Sequence, residues 1–293
     1  MSQHLYTKRA LGASGLHASA IGVGTNRWGA GGVDTNALTA TFQASLDAGG
    51  DFFDTAEVYN RGKSERLVGE RRRSDPRPVL VASKFAPLPT RLTKSQLGKA
   101  LDASLQRMGL DAIDLYYLHF PFSLVSISTW MEAMSEPVHA GKVRAVGISN
   151  CNARQMHTAF AALAQHGVPL AANQVHYSLL HRKPEDNGVL EACAELDVAL
   201  VAYRPLESGA LSTEEAASAK NRQLGETMKR IADQRGASIG QVGLTWLLQR
   251  SEHVVAIPGA TKGPHAMDNA GALTWKLTEG EFDELDRVSR SPK

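Results

Sequence analysis

The sequence predicts an α/β fold in which eight strands alternate with helices and close into a (β/α)8 TIM barrel, preceded by an N-terminal β-hairpin. Short apolar runs alternate without a break with longer segments whose apolar residues recur every three or four positions. The loops between them are short and bear glycine or asparagine. No low-complexity linker divides the chain, which predicts a single domain over residues 1–293.

The first part of the chain predicts a hairpin, a strand and a helix. Gly12 and Gly15 interrupt two short pieces, which is typical of a hairpin, and residues 20–24 form a small apolar strand. Residues 37–48 have an apolar side chain at every fourth position, as on one face of a helix. Asp34 is a suitable N-cap for this helix.

The alternation continues along the rest of the chain. Ser64 and Thr93 are candidate caps of the next two helices, because their hydroxyl groups can accept from free backbone N–H groups. Counting the strand at 20–24, the eight predicted strands include 52–54, 79–84, 115–119, 143–149, 169–174, 198–203 and 254–257. The later helices are predicted at 64–72, 97–108, 127–140, 153–165, 189–196, 224–235, 239–249 and 279–289. An open doubly wound sheet is the competing fold, but residues 22–27 lack the third glycine of its phosphate-binding turn.

The composition excludes several classes of protein. With 32 Lys plus Arg against 30 Asp plus Glu, the net charge of +2 does not indicate a nucleic-acid or anionic-membrane partner. Cys151 and Cys193 cannot form the disulfide framework of a secreted domain, and they lack the spacing of a metal site. The first nine residues contain no apolar leader segment, and no apolar run is long enough to span a bilayer. We therefore expect a soluble, unprocessed, cytoplasmic protein without a metal.

Three successive predicted strands each end in a titratable residue. The residues are Asp54, Lys84 and His119, and Tyr59 follows the first of them by five positions. Because active sites of (β/α)8 barrels lie at the carboxyl ends of the strands, we expect these four side chains to converge. Taken singly, Asp54 and Lys84 would be better explained by a structural ion pair, and His119 by a hydrogen-bonded strand end.

Short motifs spread along the whole chain match one enzyme family in order and spacing. They are Asp54-Thr55-Ala56-Glu57-Val58-Tyr59, Ser64-Glu65, Ser83-Lys84, His119, Gly147-Ile148-Ser149-Asn150, Asn173-Gln174, Tyr203-Arg204-Pro205-Leu206 and Ile257-Pro258-Gly259. Through these motifs the chain resembles the aldo-keto reductases. The resemblance implies a (β/α)8 fold and the reduction of aldehydes or ketones by a nicotinamide cofactor. It also implies a catalytic tetrad, which consists of Asp54, Tyr59, Lys84 and His119.

The chemistry of carbonyl reduction explains the types of residue in this tetrad. Hydride that reaches a carbonyl carbon leaves an oxyanion, so a proton donor and a positive charge must lie nearby. Tyr59 would be the proton donor, and the ammonium group of Lys84 would lower the phenol pKa from its usual value of about 10. Asp54 would keep Lys84 charged and oriented, and His119 would hydrogen-bond the carbonyl oxygen. Because the hydride comes from the cofactor, the chemistry requires no metal.

By the same resemblance, the later strand ends hold the nicotinamide half of the cofactor. Two kinds of group are needed, amide and hydroxyl side chains for the carboxamide and an aromatic ring that stacks on the nicotinamide. The predicted residues are Ser149, Asn150, Gln174, Tyr203, Pro205 and Leu206. In the alternative interpretation, Ser149 and Asn150 cap a helix and Tyr203 merely fills the barrel mouth.

The segment after the last strand opens a helix whose amino terminus is expected to face the adenosine phosphate. The predicted residues are Gly259, Thr261, Lys262, His265, Asp268 and Asn269. His265 stands where many members of the family carry an arginine for the 2′-phosphate, and Gly259 where some carry a lysine. An imidazole lacks the bidentate fork of arginine, but Lys262 could supply the charge. We therefore expect a moderate preference for NADPH, with NADH also accepted.

The short segment between Leu206 and Leu224 predicts an open pocket that accepts small-molecule aldehydes or ketones. Two alternatives stay open at this point. One is a dehydrogenase that oxidises a sugar or a pyridoxine-type alcohol, which the same tetrad could support. The other is a non-enzymatic, cofactor-sensing binding subunit, against which the intact tetrad argues.

Overall fold

The strands form a closed barrel and a separate hairpin. The computed structural model describes residues 5, 6 and 8–290 of the chain, so the outermost residues of the predicted domain lie outside the described part. The strands are β1 (Arg9–Ala10), β2 (His17–Ala18), β3 (Val23–Gly24), β4 (Phe52–Asp54), β5 (Leu80–Phe85), β6 (Ile113–Leu118), β7 (Val143–Ser149), β8 (Leu170–His176), β9 (Ala199–Tyr203) and β10 (Val254–Ile257). β1 and β2 pair antiparallel, and β3 to β10 form one parallel sheet in chain order. Bridges from Ile21 to Ala256 and from Gly24 to Gly259 join the two ends of this sheet. The predicted (β/α)8 barrel with an N-terminal hairpin is therefore confirmed.

Helices surround the barrel. They are α1 (Thr35–Asp47), α2 (Lys63–Ser74), α3 (Lys94–Met108), α4 (Ile127–His139), α5 (Ala153–Ala164), α6 (Lys183–Asp186), α7 (Val189–Glu195), α8 (Glu214–Lys220), α9 (Arg222–Arg235), α10 (Ile239–Arg250), α11 (Gly263–Gly271) and α12 (Glu279–Ser289). Three 3-10 turns lie at Gly12–Ser14, Tyr59–Gly62 and Glu207–Gly209. None of these described helices has both the length and the apolarity required to cross a bilayer.

The helix starts agree with the capping predictions except at α2. The side chain of Asp34 accepts from Asn36 N, and Thr93 forms a capping box with Gln96. The prediction that Ser64 caps α2 is wrong, because the helix begins one residue earlier, after Gly62 in the left-handed conformation. Two short helices, α6 and α8, were not predicted from the sequence.

The apolar residues form two cores, one inside the barrel and one between the strands and the helices. The inner core includes Leu11, Leu16 and Ala18 of the hairpin, so the hairpin closes the amino-terminal end of the barrel. Gly12 is needed at this closure because its φ is +54° and a Cβ atom there would lie 2.7 Å from the Asp197 carbonyl oxygen.

The two-residue repeat of the strands places the titratable side chains inside the barrel. Phe52 of β4, Ala82 of β5 and Tyr117 of β6 belong to the inner core. Because side chains alternate across a strand, residues two positions further on point to the same side, at the carboxyl end of the barrel. These residues are Asp54, Lys84 and His119. By the same alternation, Gln174 of β8 points to the same side as Ala172, and Tyr203 of β9 points to the same side as Val201.

Candidate active site

A buried ion pair between Lys84 and Asp54 lies at the centre of the site. Lys84 Nζ is 2.5 Å from Asp54 Oδ1, and it donates a second hydrogen bond to the Thr55 carbonyl oxygen at 2.7 Å. Asp54 Oδ2 accepts a hydrogen bond from Gln174 Nε2 at 2.8 Å. Burial by itself lowers the pKa of Lys84, but the adjacent Asp54 carboxylate and Tyr59 phenol outweigh it, so the pKa lies above its usual value. Burial raises the pKa of Asp54, and the charge of Lys84 opposes that rise.

Tyr59 lies beside this ion pair, in the 3-10 turn that follows β4. Lys84 Nζ lies 4.9 Å from the centroid of the Tyr59 ring, so the ammonium group lies against this side chain. Burial raises the phenol pKa above its usual value, and the charge of Lys84 only partly counteracts it. The effect of Lys84 therefore has the expected sign, but the net shift is opposite to the one expected from the sequence, because burial is the larger effect.

His119 completes the group of four. Its ring meets the ring of Tyr59 edge-on at a centroid distance of 5.8 Å and stacks on Phe120 at 4.1 Å. Burial and the positive charge of Lys84 lower the pKa of His119 to about 3, so the imidazole is neutral at pH 7. Its Nδ1 atom is buried and has no hydrogen-bond partner among the described residues. A neutral imidazole in this position can hydrogen-bond a ligand oxygen but cannot serve as a strong acid.

Glu57 fixes the segment that carries Tyr59, and sequence reasoning gave it no role. Its carboxylate accepts two hydrogen bonds from Arg91, at 2.5 and 3.0 Å, and one from the Ala86 backbone N–H at 2.7 Å. These contacts join the loop after β4 to the loop after β5. The signal in the sequence was the position of Glu57 between Asp54 and Tyr59, but its partner Arg91 is 34 residues away.

The predicted carboxamide-binding side chains lie together at the ends of β7, β8 and β9. Ser149 Oγ donates to the Gln174 carbonyl oxygen at 2.9 Å, and Asn150 Nδ2 donates to Ser149 Oγ at 3.0 Å. Tyr203 OH donates to Asn150 Oδ1 at 2.9 Å. Gln174 also contacts Asp54, so this amide-rich edge is continuous with the ion pair. Donors, acceptors and an aromatic ring therefore lie at one edge of the barrel mouth, as a nicotinamide carboxamide requires.

Pro205 and Leu206 continue from Tyr203 towards α10. Pro205 is buried. Leu206 packs beside Gly240 and Gly243, where a Cβ atom would come within 3.5 and 3.6 Å of its methyl groups. Leu206 thus anchors the loop after β9 to α10, and both residues follow Tyr203 in this loop.

The residues predicted for the adenosine half lie around the start of α11. Thr261 is partly exposed, and Gly259, Lys262 and His265 are exposed. The N-cap of α11 is Lys262, with no side-chain hydrogen bond at this end of the helix. An exposed ammonium at a helix amino terminus fits a phosphate group.

Asp268 and Asn269, further along α11, are held against the neighbouring helix. Asp268 accepts hydrogen bonds from Ser238 Oγ and Gln241 Nε2, both at 2.9 Å. Asn269 is buried. Ser238, the N-cap of α10, and Gln241 within α10 were not identified from the sequence, because nothing in their own segment indicates a partner 27 or more residues away.

The described residues contain no group of three or more His, Cys, Asp or Glu side chains that could hold a metal ion. The expectation that no metal takes part stays a prediction.

The barrel and the polar cluster at its carboxyl end define a (β/α)8 protein with a candidate proton-transfer site. The chain matches the model of the Aldo/keto reductase family over residues 20–290, and it belongs to that family. It is 33% identical to the chloroplastic pyridoxal reductase of Arabidopsis thaliana over 95% of this chain and 85% of the relative. It is 30% identical to the aldo-keto reductase yakc [NADP(+)] of Schizosaccharomyces pombe, over 94% of this chain and 86% of the relative.

A solved structure resembles the whole barrel. The aldo/keto reductase from Klebsiella pneumoniae in complex with NADP and acetate superposes with a TM-score of 0.85 at 30% identity, covering 98% of this chain and 97% of the other. The family resemblance found in the sequence motifs is therefore confirmed.

Proposed function

We propose that this protein is an NADP(H)-dependent oxidoreductase that reduces aldehydes or ketones to alcohols. The observation that carries the proposal is the contact of the buried Lys84–Asp54 pair with the Tyr59 phenol at the carboxyl end of the barrel. This arrangement supplies a proton donor next to a fixed positive charge, which is what a developing alkoxide requires. Family membership and the NADP named for two relatives support the cofactor.

A nicotinamide cofactor, when bound, would supply the hydride for the carbonyl carbon. Tyr59 donates its phenolic proton to the carbonyl oxygen, and the resulting phenolate is stabilised by Lys84. The raised pKa keeps the phenol protonated until it is needed. Asp54 holds Lys84 in place, and the neutral His119 hydrogen-bonds the same carbonyl oxygen and orients it.

The cofactor would lie across the barrel mouth from the strand ends to α11. Ser149, Asn150 and Gln174 would hold the carboxamide, and Tyr203 would stack on the nicotinamide ring, beside Pro205 and Leu206. At the other end, the predicted adenosine site comprises Gly259, Thr261, Lys262, His265, Asp268 and Asn269. The exposed ammonium of Lys262 at the start of α11 favours NADPH over NADH.

The substrate side of the mouth is apolar. Eight large hydrophobic side chains are exposed among the described residues, and six of them lie in the three loops that follow β4, β5 and β6. These six are Val58, Leu88, Leu92, Phe120, Phe122 and Leu124. Exposed apolar side chains concentrated beside a site usually mark a binding surface. The open pocket expected from the sequence would thus favour carbonyl compounds with an apolar flank.

A second candidate substrate class is suggested by the Arabidopsis relative, which is named as a pyridoxal reductase. Reduction of pyridoxal needs the same hydride and proton, and its reverse is the oxidative reaction on a pyridoxine-type alcohol. An assay with pyridoxal and NADPH, and with pyridoxine and NADP⁺, compares the two directions.

The cellular location also stays a proposal: we propose the cytoplasm, although the Arabidopsis relative is chloroplastic.

Replacement of Tyr59 by Phe tests the proposed function. The variant should bind NADPH normally, and its turnover of a good aldehyde should fall by roughly two to four orders of magnitude, the usual contribution of a positioned proton donor. Tyr6→Phe removes a phenol that lies against Lys276 and outside the site, and it should keep full turnover. A Tyr59→Phe variant with near wild-type turnover would show that the proton comes from elsewhere. If the wild-type protein bound NADPH but reduced no aldehyde or ketone, the binding-subunit alternative would be favoured.

A further inference from the structure

Three aromatic rings are stacked at the ends of β8 and β9, next to the predicted nicotinamide site. His176 and Tyr203 are direct partners in the β8–β9 pairing, which places their side chains on the same side of the sheet. Their rings are nearly parallel, with an interplanar angle of 15° and a centroid distance of 5.4 Å. His181 also stacks on His176, with a centroid distance of 3.9 Å and an interplanar angle of only 9°.

The turn after β8 brings the third ring into place. Ser178 and His181 form an antiparallel bridge with backbone hydrogen bonds of 3.2 Å in both directions. Ser178 Oγ also accepts from the His181 backbone N–H at 3.0 Å. The position of His181 against His176 is thus fixed by the backbone of a tight turn.

Glu207 holds the middle ring of the stack. Its Oε1 atom is 2.8 Å from His176 Nε2, which must donate because a carboxylate only accepts, and the same atom accepts from Ser178 Oγ. Burial by itself raises the pKa of Glu207, but the hydrogen bonds from His176 and Ser178 outweigh it, so the pKa lies below its usual value. Glu207 has a φ of +50°, a left-handed conformation that is unfavourable for this residue type. The backbone therefore accepts some strain where the carboxylate reaches the imidazole.

Tyr203 is constrained at both its hydroxyl group and one face. The hydroxyl group donates to Asn150 Oδ1 at 2.9 Å, and the face packs on His176. A ring held in these two ways cannot tilt, so its plane is determined before a ligand arrives. Such preorganisation reduces the entropy lost when a second flat ring stacks on it.

We propose that His176, held by Glu207, is a positioning residue that sets the plane of Tyr203 for stacking on the nicotinamide ring. The inference rests on the proposed function, because it assumes that Tyr203 contacts the nicotinamide. It predicts that removal of the imidazole weakens binding of the nicotinamide half of the cofactor and leaves the adenosine half unaffected. Removal of a residue that merely stabilises the fold would weaken binding of both halves of the cofactor or of neither.

The test compares two ligands on purified variants. NADPH contains the nicotinamide, whereas adenosine 2′,5′-bisphosphate contains only the adenosine half. His176→Ala should weaken NADPH binding by roughly five- to tenfold, the effect expected for the loss of a stacked aromatic pair. Its affinity for adenosine 2′,5′-bisphosphate should be unchanged. Tryptophan fluorescence quenching gives the first dissociation constant and calorimetry gives the second.

Two further variants separate the stack from the hydrogen bond. His176→Phe keeps a flat ring and should restore most of the NADPH affinity, whereas Glu207→Ala releases the imidazole and should resemble His176→Ala. His157→Ala is the matched control, because this histidine is exposed on α5 and pairs weakly with Glu195; it should bind both ligands like the wild type.

Equal weakening of both ligands by His176→Ala, or no change in either, would overturn the positioning role. The proposed function would survive those outcomes, because the wild-type protein would still bind NADPH and reduce aldehydes. Failure of the wild-type protein to bind NADPH would overturn both proposals.

Discussion

Removal of the Lys84 ammonium tests the physical basis of the site most directly. The side chains of Lys84 and Asp54 are 0% and 3% exposed, so Lys84→Met leaves a buried carboxylate without its counter-charge. Breaking a buried pair in this way destabilises a protein by about 3–5 kcal/mol, a large part of the usual total of about 5–15 kcal/mol. We therefore expect the free energy of unfolding, measured by urea titration at pH 7, to fall by about that amount.

A surface pair and a double variant complete the measurement. Lys142 pairs with Asp102 at 2.7 Å, but their side chains are 48% and 60% exposed, so Lys142→Met should cost less than about 1 kcal/mol. Replacing Asp54 by Asn in the Lys84→Met variant removes the unpaired charge and should recover at least half of the lost stability, while catalysis stays absent. Two results would contradict a buried, paired charge at Lys84. One is a loss of unfolding free energy in Lys84→Met no larger than in Lys142→Met. The other is a double variant that is less stable than Lys84→Met.

Three further predictions concern pH, substrate and cofactor. Folding lowers the pKa of His119 from 6.5 to about 3, so the unfolded chain binds the proton more tightly than the folded chain. The contribution of His119 to the free energy of unfolding is therefore complete above pH 6.5 and is lost as the pH drops towards 3. Between pH 7 and pH 5 the wild type should lose about 2 kcal/mol more stability in urea titrations than His119→Gln. Replacing Phe122 and Leu124 by Ser should raise KM for a long-chain aldehyde roughly tenfold and leave KM for methylglyoxal unchanged, because the small substrate does not reach these side chains. Lys262→Ala should weaken NADPH binding roughly tenfold, measured by fluorescence titration, while NADH binding changes little.

Each of these predictions has an outcome that contradicts it. Parallel pH profiles for wild type and His119→Gln would mean that His119 is not held neutral by the fold. Leu5→Ser removes an exposed apolar side chain near the hairpin, so an equal rise in KM for this control would argue against a specific apolar surface. Equal affinities for NADPH and NADH in the wild type, or tighter NADH, would remove the assigned role of Lys262.

The sequence predicted much of the barrel, since local patterns specify local structure. β7, β10 and α12 begin and end at the predicted residues, because short apolar runs mark the two strands; in the structure α12 begins after the capping box of Thr278. α6 and α8 were missed, because they are only four and seven residues long and have too few turns for an apolar periodicity to be visible. Ser64 was predicted as a cap from its residue type, whereas its buried hydroxyl group donates to the Thr25 carbonyl oxygen beneath the site. The prediction of a single domain over residues 1–293 stays a prediction.

The order of strands and the identity of their last residues determined which side chains meet at the barrel mouth. The two-residue repeat of a strand and the parallel order of the sheet require Asp54, Lys84 and His119 to converge, and both are readable from the sequence. Tertiary structure alone decided how these groups behave. The sign of the Tyr59 pKa shift depends on how much protein surrounds the phenol, and burial there exceeds the effect of the nearby charge.

The supporting contacts were likewise decided by tertiary structure. Glu57 pairs with Arg91, which is 34 positions away in the sequence. His176 hydrogen-bonds Glu207, which is 31 positions away. Such pairs leave no periodic signal, because each side chain is an ordinary loop or strand-end residue in its own segment. Only the folded barrel brings the loops after successive strands together, and with them the residues that hold Tyr59 and Tyr203 in place.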